Sequence, residues 1–256
     1  MDIKKDVKNQ FGKSATDYVE SKIHKEGKDL QKLFKLAELT GTEEVLDVAT
    51  GGGHTANKFA PFVKKVVAVD LTPEMLAAAK SFIKGNGNKN VEFIEGDAEN
   101  LPFSDDSFNI VTCRIAPHHF PNVKQFINEV HRVLHSEGTF LLVDNVAPEK
   151  NEHDHFYNKI EKKRDYSHFR AWKKTEWIAM LELAGFELQE LHTFEKRFAF
   201  DSWCERMKLS PSEKMDLSNF FLATTEETKK KFRIITEEEK VISFTGESII
   251  VKAKKV

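Results

Sequence analysis

The chain has 256 residues, 40% of them hydrophobic and 31% charged, which is enough to bury one large core and matches a globular protein with one principal domain. Its 39 basic and 41 acidic residues leave a net charge of −2, without the electrostatic footprint that holds phosphate backbones, so a small or neutral substrate is favoured over nucleic acid. The opening Met1-Asp2-Ile3-Lys4-Lys5-Asp6 is charged where a secretory signal needs an apolar run, no stretch approaches the roughly 20 apolar residues of a membrane span, and Cys113 and Cys204 are too few for a disulfide framework, so a cytoplasmic protein with reduced thiols is expected.

Residues 1–40 are polar with helical periodicity, clearest where Leu30, Leu33, Phe34 and Ala37 fall at i, i+3, i+4 and i+7, and read as an N-terminal helical extension. The rhythm then changes to short β-rich runs, Val45–Ala49, Val66–Val69, Val91–Ile94, Phe108–Cys113 and Thr139–Val143, alternating with amphipathic helices. Strand, helix, strand in succession predicts parallel pairing with crossovers. Thr72 is placed to cap a helix beginning Pro73-Glu74-Met75, and Asn122 to cap one whose stripe of Val123, Phe126, Ile127, Val130, Val133 and Leu134 is stopped by Gly138.

Beyond about residue 147 charge and aromatics rise. A helix carrying Trp177, Met180, Leu181 and Ala184 ahead of Gly185 is expected, then a strand from Phe186 to Thr193. Residues 198–235 read as inserted helices, and the end as a hairpin of Val241–Phe244 and Ser248–Val251 joined through Thr245-Gly246-Glu247. The Lys229–Lys231 run has Glu226, Glu227 and Glu237–Glu239 near it and reads as solvated charge.

The chemistry concentrates in Val45-Leu46-Asp47-Val48-Ala49-Thr50-Gly51-Gly52-Gly53-His54, an apolar strand running into three glycines and then a helix. Glycines let backbone amides approach a ligand, and a helix start offers unpaired N–H donors and a positive dipole end, so a nucleotide-like cofactor is favoured over a merely structural turn. The loop alone does not name the cofactor. Gly51-x-Gly53-x-x-Ala56 with Asp70 also satisfies the loose dinucleotide fingerprint.

Three further features lie outside the loop. Asp47 is an acidic residue in an apolar strand, costly to bury unless something donates to it. Gly96-Asp97-Ala98 directly follows the third strand, where a carboxylate and a backbone amide can read an adenine edge. Arg132-Val133-Leu134 is followed by Glu137-Gly138-Thr139 and an apolar strand.

With Val69-Asp70-Leu71-Thr72-Pro73-Glu74-Met75-Leu76, Gly96–Phe103, Ser107-Phe108-Asn109 and Glu129–Leu134 following the glycine turn in order, the chain resembles the class I S-adenosylmethionine (SAM)-dependent methyltransferases. The likeness is to the small-molecule branch that includes the ubiquinone and menaquinone biosynthesis enzymes, over about residues 11–146. It implies an α/β, Rossmann-like, seven-stranded, mostly parallel sheet whose antiparallel last strand the terminal hairpin would supply. Residues 1–40 become an N-terminal helical lid, and residues 41–256 a SAM-binding domain with helical insertions at about 150–172 and 198–235.

The resemblance also implies roles. Gly51 and Gly53 would line the methionine part, Asp70 would hold both ribose hydroxyls, Leu71 would pack on adenine, and Asp97 with Ala98 would read its edge. Asp47, Ala49 and Arg114 join the expected cofactor contacts. Phe11–Tyr18 looks like the lid segment that closes over SAM, with Tyr18 as a candidate contact.

Methyl transfer is a near-linear displacement that needs alignment, water exclusion and sometimes a base. The acceptor belongs beyond the carboxyl ends of the strands, which singles out Arg114-Ile115-Ala116-Pro117-His118-His119-Phe120. His118 and His119 are the catalytic candidates, against the reading of one packed and one solvated histidine. The segment lacks the Asn/Asp-Pro-Pro-Tyr arrangement of nucleic-acid amino methyltransferases.

Cys113, inside an apolar strand, reads as a core residue, and Glu152-His153-Asp154-His155 as an exposed helix start, with no metal expected. Phe194, Phe198, Phe200, Phe220 and Phe221 fit core packing before an acceptor pocket. The expectation is methyl transfer to a small, apolar or aromatic acceptor at carbon or oxygen, with a homodimer compatible. The alternatives are a nicotinamide-dependent oxidoreductase, for which no suitable Tyr-x-x-x-Lys pair follows the fourth strand, and a non-catalytic SAM-binding module.

Overall fold

Short Val- and Ile-rich runs separated by amphipathic segments cannot fold back on one another as hairpins, so each must cross a helix before it pairs. The computed structural model describes residues 3–12 and 27–256, and elements are numbered over these. Helix α1 (Ile3–Gly12) and helix α2 (Lys28–Leu36) precede the alternating part. That part runs β1 (Glu44–Val48), α3 (His54–Phe59), β2 (Lys65–Asp70), α4 (Pro73–Gly85), β3 (Val91–Glu95), β4 (Phe108–Arg114), α5 (Val123–Val133) and β5 (Leu134–Val146). After it come α6 (Asn151–Arg164), α7 (Lys174–Leu183), β6 (Phe186–Ala199), α8 (Phe200–Glu205), α9 (Pro211–Leu222), α10 (Glu226–Lys231), β7 (Ile235–Glu237) and β8 (Lys240–Lys255).

The strands form one eight-stranded sheet in the order β3-β2-β1-β4-β5-β8-β6, with β7 on the outer part of β8. β1 to β5 pair in parallel, and β8 enters antiparallel between β5 and β6. The mostly parallel Rossmann-like sheet expected from the sequence is present, with β7 as an additional short strand. Because β1 sits between β2 and β4, the strand order reverses there and opens a crevice at the carboxyl ends.

Helices cover both faces. On one, Val123, Phe126, Ile127, Val130 and Val133 of α5 and Trp177 and Leu181 of α7 pack on Val48, Val111, Phe140 and Leu142. On the other, Leu33 of α2, Ala56 and Phe59 of α3 and Ile83 of α4 pack on Val45, Val66, Ile110 and Leu141. A third cluster joins Phe156 and Tyr157 of α6 to Phe200, Trp203, Phe221, Phe232 and Phe244. Phe200 and Phe221 are therefore core residues.

Four local expectations need correction. The terminal hairpin is instead one continuous strand, because β6 supplies partners straight through it: Thr245 pairs Arg197, Gly246 pairs Lys196 and Glu247 pairs Glu195. Gly246 marks a close approach rather than a turn, since a Cβ there would stand 3.1 Å from the Phe198 ring and 3.4 Å from the Tyr157 hydroxyl. The actual hairpin turns at Glu238 and Glu239, both at positive φ, between β7 and β8.

Gly138 does not stop the helix. α5 ends at Val133 and the chain enters β5 at once, with Gly138 inside the strand where a Cβ would come within 2.8 Å of the His135 carbonyl oxygen. Thr72 occupies the N-cap position of α4 without a side-chain capping bond, while Asn122 does cap α5. The start of α6 is not fully exposed: His153 and Asp154 are buried, and Asp154 takes bonds from Asn158 and Arg170.

Candidate cofactor and acceptor site

The glycine turn leaves β1 through three left-handed residues, Ala49 (φ 53°), Gly51 (φ 54°) and Gly53 (φ 80°). For Ala49 that conformation costs about 1 kcal/mol, and the surrounding bonds hold it. Thr50 N donates to the Val69 carbonyl across 2.9 Å, Gly53 N to the Thr50 carbonyl across 2.9 Å, and Gly51 N to Asp70 Oδ2 across 2.8 Å. Gly53 faces the protein rather than the cleft, since a Cβ on it would lie 2.8 Å from Ile83 Cδ1 and 3.0 Å from Ala79 Cβ. Its place in the sequence motif reflects helix packing.

Asp47 is buried beneath this turn. Thr50 Oγ1 donates to it across 2.6 Å, Thr112 Oγ1 across 2.7 Å and the Ala56 amide across 3.2 Å. Burial still outweighs these three bonds and lifts its carboxyl to about 6. The donors that the sequence demanded for this carboxylate are thus two threonine hydroxyls and the first turn of α3.

A cleft of about 1050 Å³, its open mouth included, lies over the carboxyl ends of β1, β2 and β4. Asp47, Ala49, Gly51, Asp70, Leu71, Asp97, Ala98, Arg114 and His119 line it, and Gly53 and His118 do not. Asp70 also accepts from the Thr72 amide across 2.9 Å, and burial pushes its carboxyl up despite these bonds. A carboxylate has about four lone-pair sites, so acceptor capacity remains.

At the other end Asp97 accepts the Glu99 amide on Oδ1 and Lys4 Nζ on Oδ2 across 2.6 Å. Lys4 also pairs Glu99, which brings α1 across the cleft mouth with Val7 and Phe11 in its lining. Tyr18 lies outside the described residues.

Past β4, the helical turn Pro117–His119 puts two histidines in different surroundings. His118 Nδ1 lies 2.6 Å from Asp144 Oδ1 of β5, both buried. Burial opposes its charge, but Asp144 outweighs burial and raises the imidazole above its ordinary value. His119 Nδ1 faces the Ser167 carbonyl at 3.0 Å, so that nitrogen carries the hydrogen and Nε2 holds the lone pair. Burial and the neighbouring His118 drive its pKa down to about 4. Phe11 of α1 stands edge-on to the His119 ring at 5.1 Å. Arg114 donates to Asp29 of α2 across 2.7 Å, and both are buried.

Sequence reasoning missed Lys4, Asp29 and Asp144. Asp144 carried a signal of the kind that exposed Asp47, an acid closing the apolar run Phe140-Leu141-Leu142-Val143. Lys4 and Asp29 sit in ordinary polar helix patterns and carried none. Among the described residues no group of three His, Cys, Asp or Glu side chains is arranged to hold a metal ion, and no helix is long and apolar enough to cross a membrane.

Comparison with known proteins agrees with this geometry. Residues 46–142, from β1 to β5, match the family described as Methyltransferase domain. Over 246 residues the chain is 38% identical to the uncharacterized methyltransferase YcgJ of Bacillus subtilis strain 168, covering 96% of this chain and 97% of that protein. The chain belongs to the SAM-dependent methyltransferase family. The fold of a proposed methyltransferase of Bacillus halodurans C-125 agrees with a TM-score of 0.88 at 58% identity, covering 90% of this chain and 99% of that one. A demethylmenaquinone methyltransferase of Chlorobaculum tepidum is 39% identical over 114 residues, 43% of this methyltransferase and 45% of the relative. The match sets aside the nicotinamide reading of the glycine turn.

Proposed function

We propose that this methyltransferase binds SAM in the cleft between the glycine turn, Asp70 and Asp97, and methylates a small apolar or aromatic acceptor at carbon or oxygen. The observation that carries the reading is the interlock of Gly51 with Asp70, which sets an amide-rich turn and an acidic strand end on one cleft wall. The donor set fits the cofactor. Asp70 has lone pairs left for ribose hydroxyls, Leu71, Met75 and Ala98 would give apolar walls for adenine, and Asp97 would accept from its exocyclic amine. Asp47 serves by holding the turn, all its bonds being internal.

The cofactor supplies an electrophilic methyl group. The protein's task is then alignment, dehydration and management of the acceptor's proton. His119, which lines the cleft, would use its Nε2 lone pair to take the acceptor's proton, and His118, held by Asp144, would set the charge behind it. Helix α1 would serve as a lid over the mouth. The likeness to demethylmenaquinone methyltransferases favours carbon methylation of a quinone precursor. The domain reads as a cytoplasmic, small-molecule enzyme.

The test has two parts. S-adenosylhomocysteine should raise the melting temperature while NAD leaves it unchanged, and a panel of hydroxylated aromatics incubated with SAM should release S-adenosylhomocysteine for at least one member. A shift with NAD alone overturns the reading.

A further inference from the structure

Between α6 and α7 the chain makes a buried excursion whose residues do not line the cleft. Asp165, Ser167 and His168 are nearly sealed from solvent although no helix or strand contains them. A connecting loop normally lies on the surface, where water satisfies its backbone, so a buried polar one needs partners within the protein.

Asp165 organises the loop. Its Oδ1 accepts the Ser167 amide across 2.8 Å and the Ser167 hydroxyl across 2.5 Å, and its carbonyl accepts the His168 amide across 3.0 Å. Lys162 of α6 ties the loop down, donating to the Tyr166 carbonyl across 2.6 Å and to the His168 carbonyl across 2.8 Å.

What this loop grips is the turn that carries the two histidines. The His118 carbonyl accepts the amides of Phe169 and Arg170, across 2.8 and 2.9 Å. The Ser167 carbonyl takes the hydrogen on His119 Nδ1 across 3.0 Å, and the Ser167 hydroxyl oxygen stands 3.4 Å from the same nitrogen. Asp165, Ser167 and His119 thus form one connected chain, of which His119 alone lines the cleft. A carbonyl can only accept, so a ring held this way keeps its hydrogen on Nδ1 and its lone pair on Nε2.

Charge follows the same route. Burial and the His118 imidazole oppose protonation of His119, Asp165 and Asp144 of β5 favour it, and the His168 ring stands 6.5 Å away. Burial also works against the Asp165 carboxylate, but His119, the Ser167 bonds and Arg164 outweigh it and hold that carboxyl below the ordinary range.

We infer that Asp165 is a positioning residue for His119: through Ser167 it fixes the ring with Nδ1 protonated and Nε2 free, and its buried carboxylate favours the imidazolium formed when Nε2 takes the acceptor's proton. This rests on the proposed role of His119 as the base. In that step the acceptor's bond to hydrogen breaks, the Nε2–H bond forms, and the electron pair stays on the acceptor atom that is methylated. Asp165 acts only through the ring.

The experiment records NMR spectra of the S-adenosylhomocysteine-saturated protein labelled at the histidine nitrogens, in which protonated and unprotonated imidazole nitrogens resonate far apart. His119→Gln assigns the signal. At neutral pH the unmutated protein should carry the His119 hydrogen on Nδ1 alone, and Asp165→Ala should give a mixture of both tautomers. Asp165→Asn keeps an oxygen for the Ser167 donors but not the charge, so it should retain the Nδ1 form and protonate His119 only at lower pH. With an acceptor that turns over, kcat should fall ten-fold or more in Asp165→Ala and about three-fold in Asp165→Asn, with KM for SAM unchanged.

The hydrogen found on Nε2 in the unmutated protein, the Nδ1 form retained in full by Asp165→Ala, or kcat unchanged in both variants overturns the inference. Unchanged S-adenosylhomocysteine affinity reports an intact fold. If Asp165→Ala loses that affinity, Asp165→Asn decides, and a His119 that protonates there as in the unmutated protein overturns the inference. Normal turnover by His119→Gln would instead remove the base on which the inference stands, while the spectra would still report the hold of Asp165 on the ring.

Discussion

Gly51 donates its amide to the Asp70 carboxylate across 2.8 Å, so the turn after β1 and the end of β2 form a single hydrogen-bonded unit. Asp70 is at once a cleft-lining carboxylate and the anchor of the loop on the same cleft wall. Asp70→Ala should abolish the thermal shift given by S-adenosylhomocysteine, and Asp70→Asn, which keeps one acceptor oxygen, should retain a weakened one. Differential scanning fluorimetry reads both, and an undiminished shift in Asp70→Ala counts against the site.

Gly53→Ala should destabilise the fold while leaving the cleft's chemistry in place. The new methyl group meets Ile83 Cδ1 at 2.8 Å, at a backbone φ of 80°. Overpacking costs about 1–3 kcal/mol, and the left-handed conformation about 1–2 more. Adding Ile83→Val removes the clashing carbon, so the double variant should recover part of the loss in urea unfolding. Additive destabilisation would contradict the packing role.

Asp47 makes stability depend on pH. Burial holds its folded carboxyl at about 6 against 3.8 for a free aspartate. The folded protein therefore binds this proton more tightly than the unfolded chain, so the contribution is complete below about pH 4 and is lost as pH rises through about 6. Against Asp47→Asn, which keeps the shape without the charge, the unmutated protein should lose up to about 3 kcal/mol of relative stability between pH 4 and pH 7. Chemical denaturation at the two pH values checks the sign.

The two histidines should titrate as a pair. His118→Gln removes a positive neighbour and should move His119 upward from about 4. Asp144→Asn should lower His118, whose raised value depends on that carboxylate. NMR titration of the imidazole protons follows both. If His119 is the base, the acid limb of turnover in His118→Gln should move to higher pH, because a base with a raised pKa is protonated sooner as pH falls, whereas a merely structural histidine leaves the profile unmoved.

The parallel half of the sheet was legible because its strands are short apolar runs bounded by glycine and proline, and local pattern decides such elements. Asp47 was legible for another reason, since a charge inside an apolar strand demands a partner, and Asp70 and Asp97 through their spacing from the glycine turn and the family resemblance. Gly246 was misread because a glycine kept for close approach to Tyr157 looks the same in sequence as one kept for a turn. Asp29 and Lys4 were illegible because their meaning comes from strands and helices distant in the chain. Gly53 answered to its motif, but its reason lies in α4 rather than in the cleft.

The position of β8 also dictates an order of assembly. It follows β6 in the chain yet lies between β5 and β6, and it gives both neighbours their hydrogen bonds. During synthesis the parallel half, β1 to β5, can collapse on its crossover helices, whereas β6 has no strand to join until β8 arrives. A nascent chain ending before Lys240 would present two open edges, at β5 and at β6, and cutting there would yield a species primed for strand exchange with a second copy.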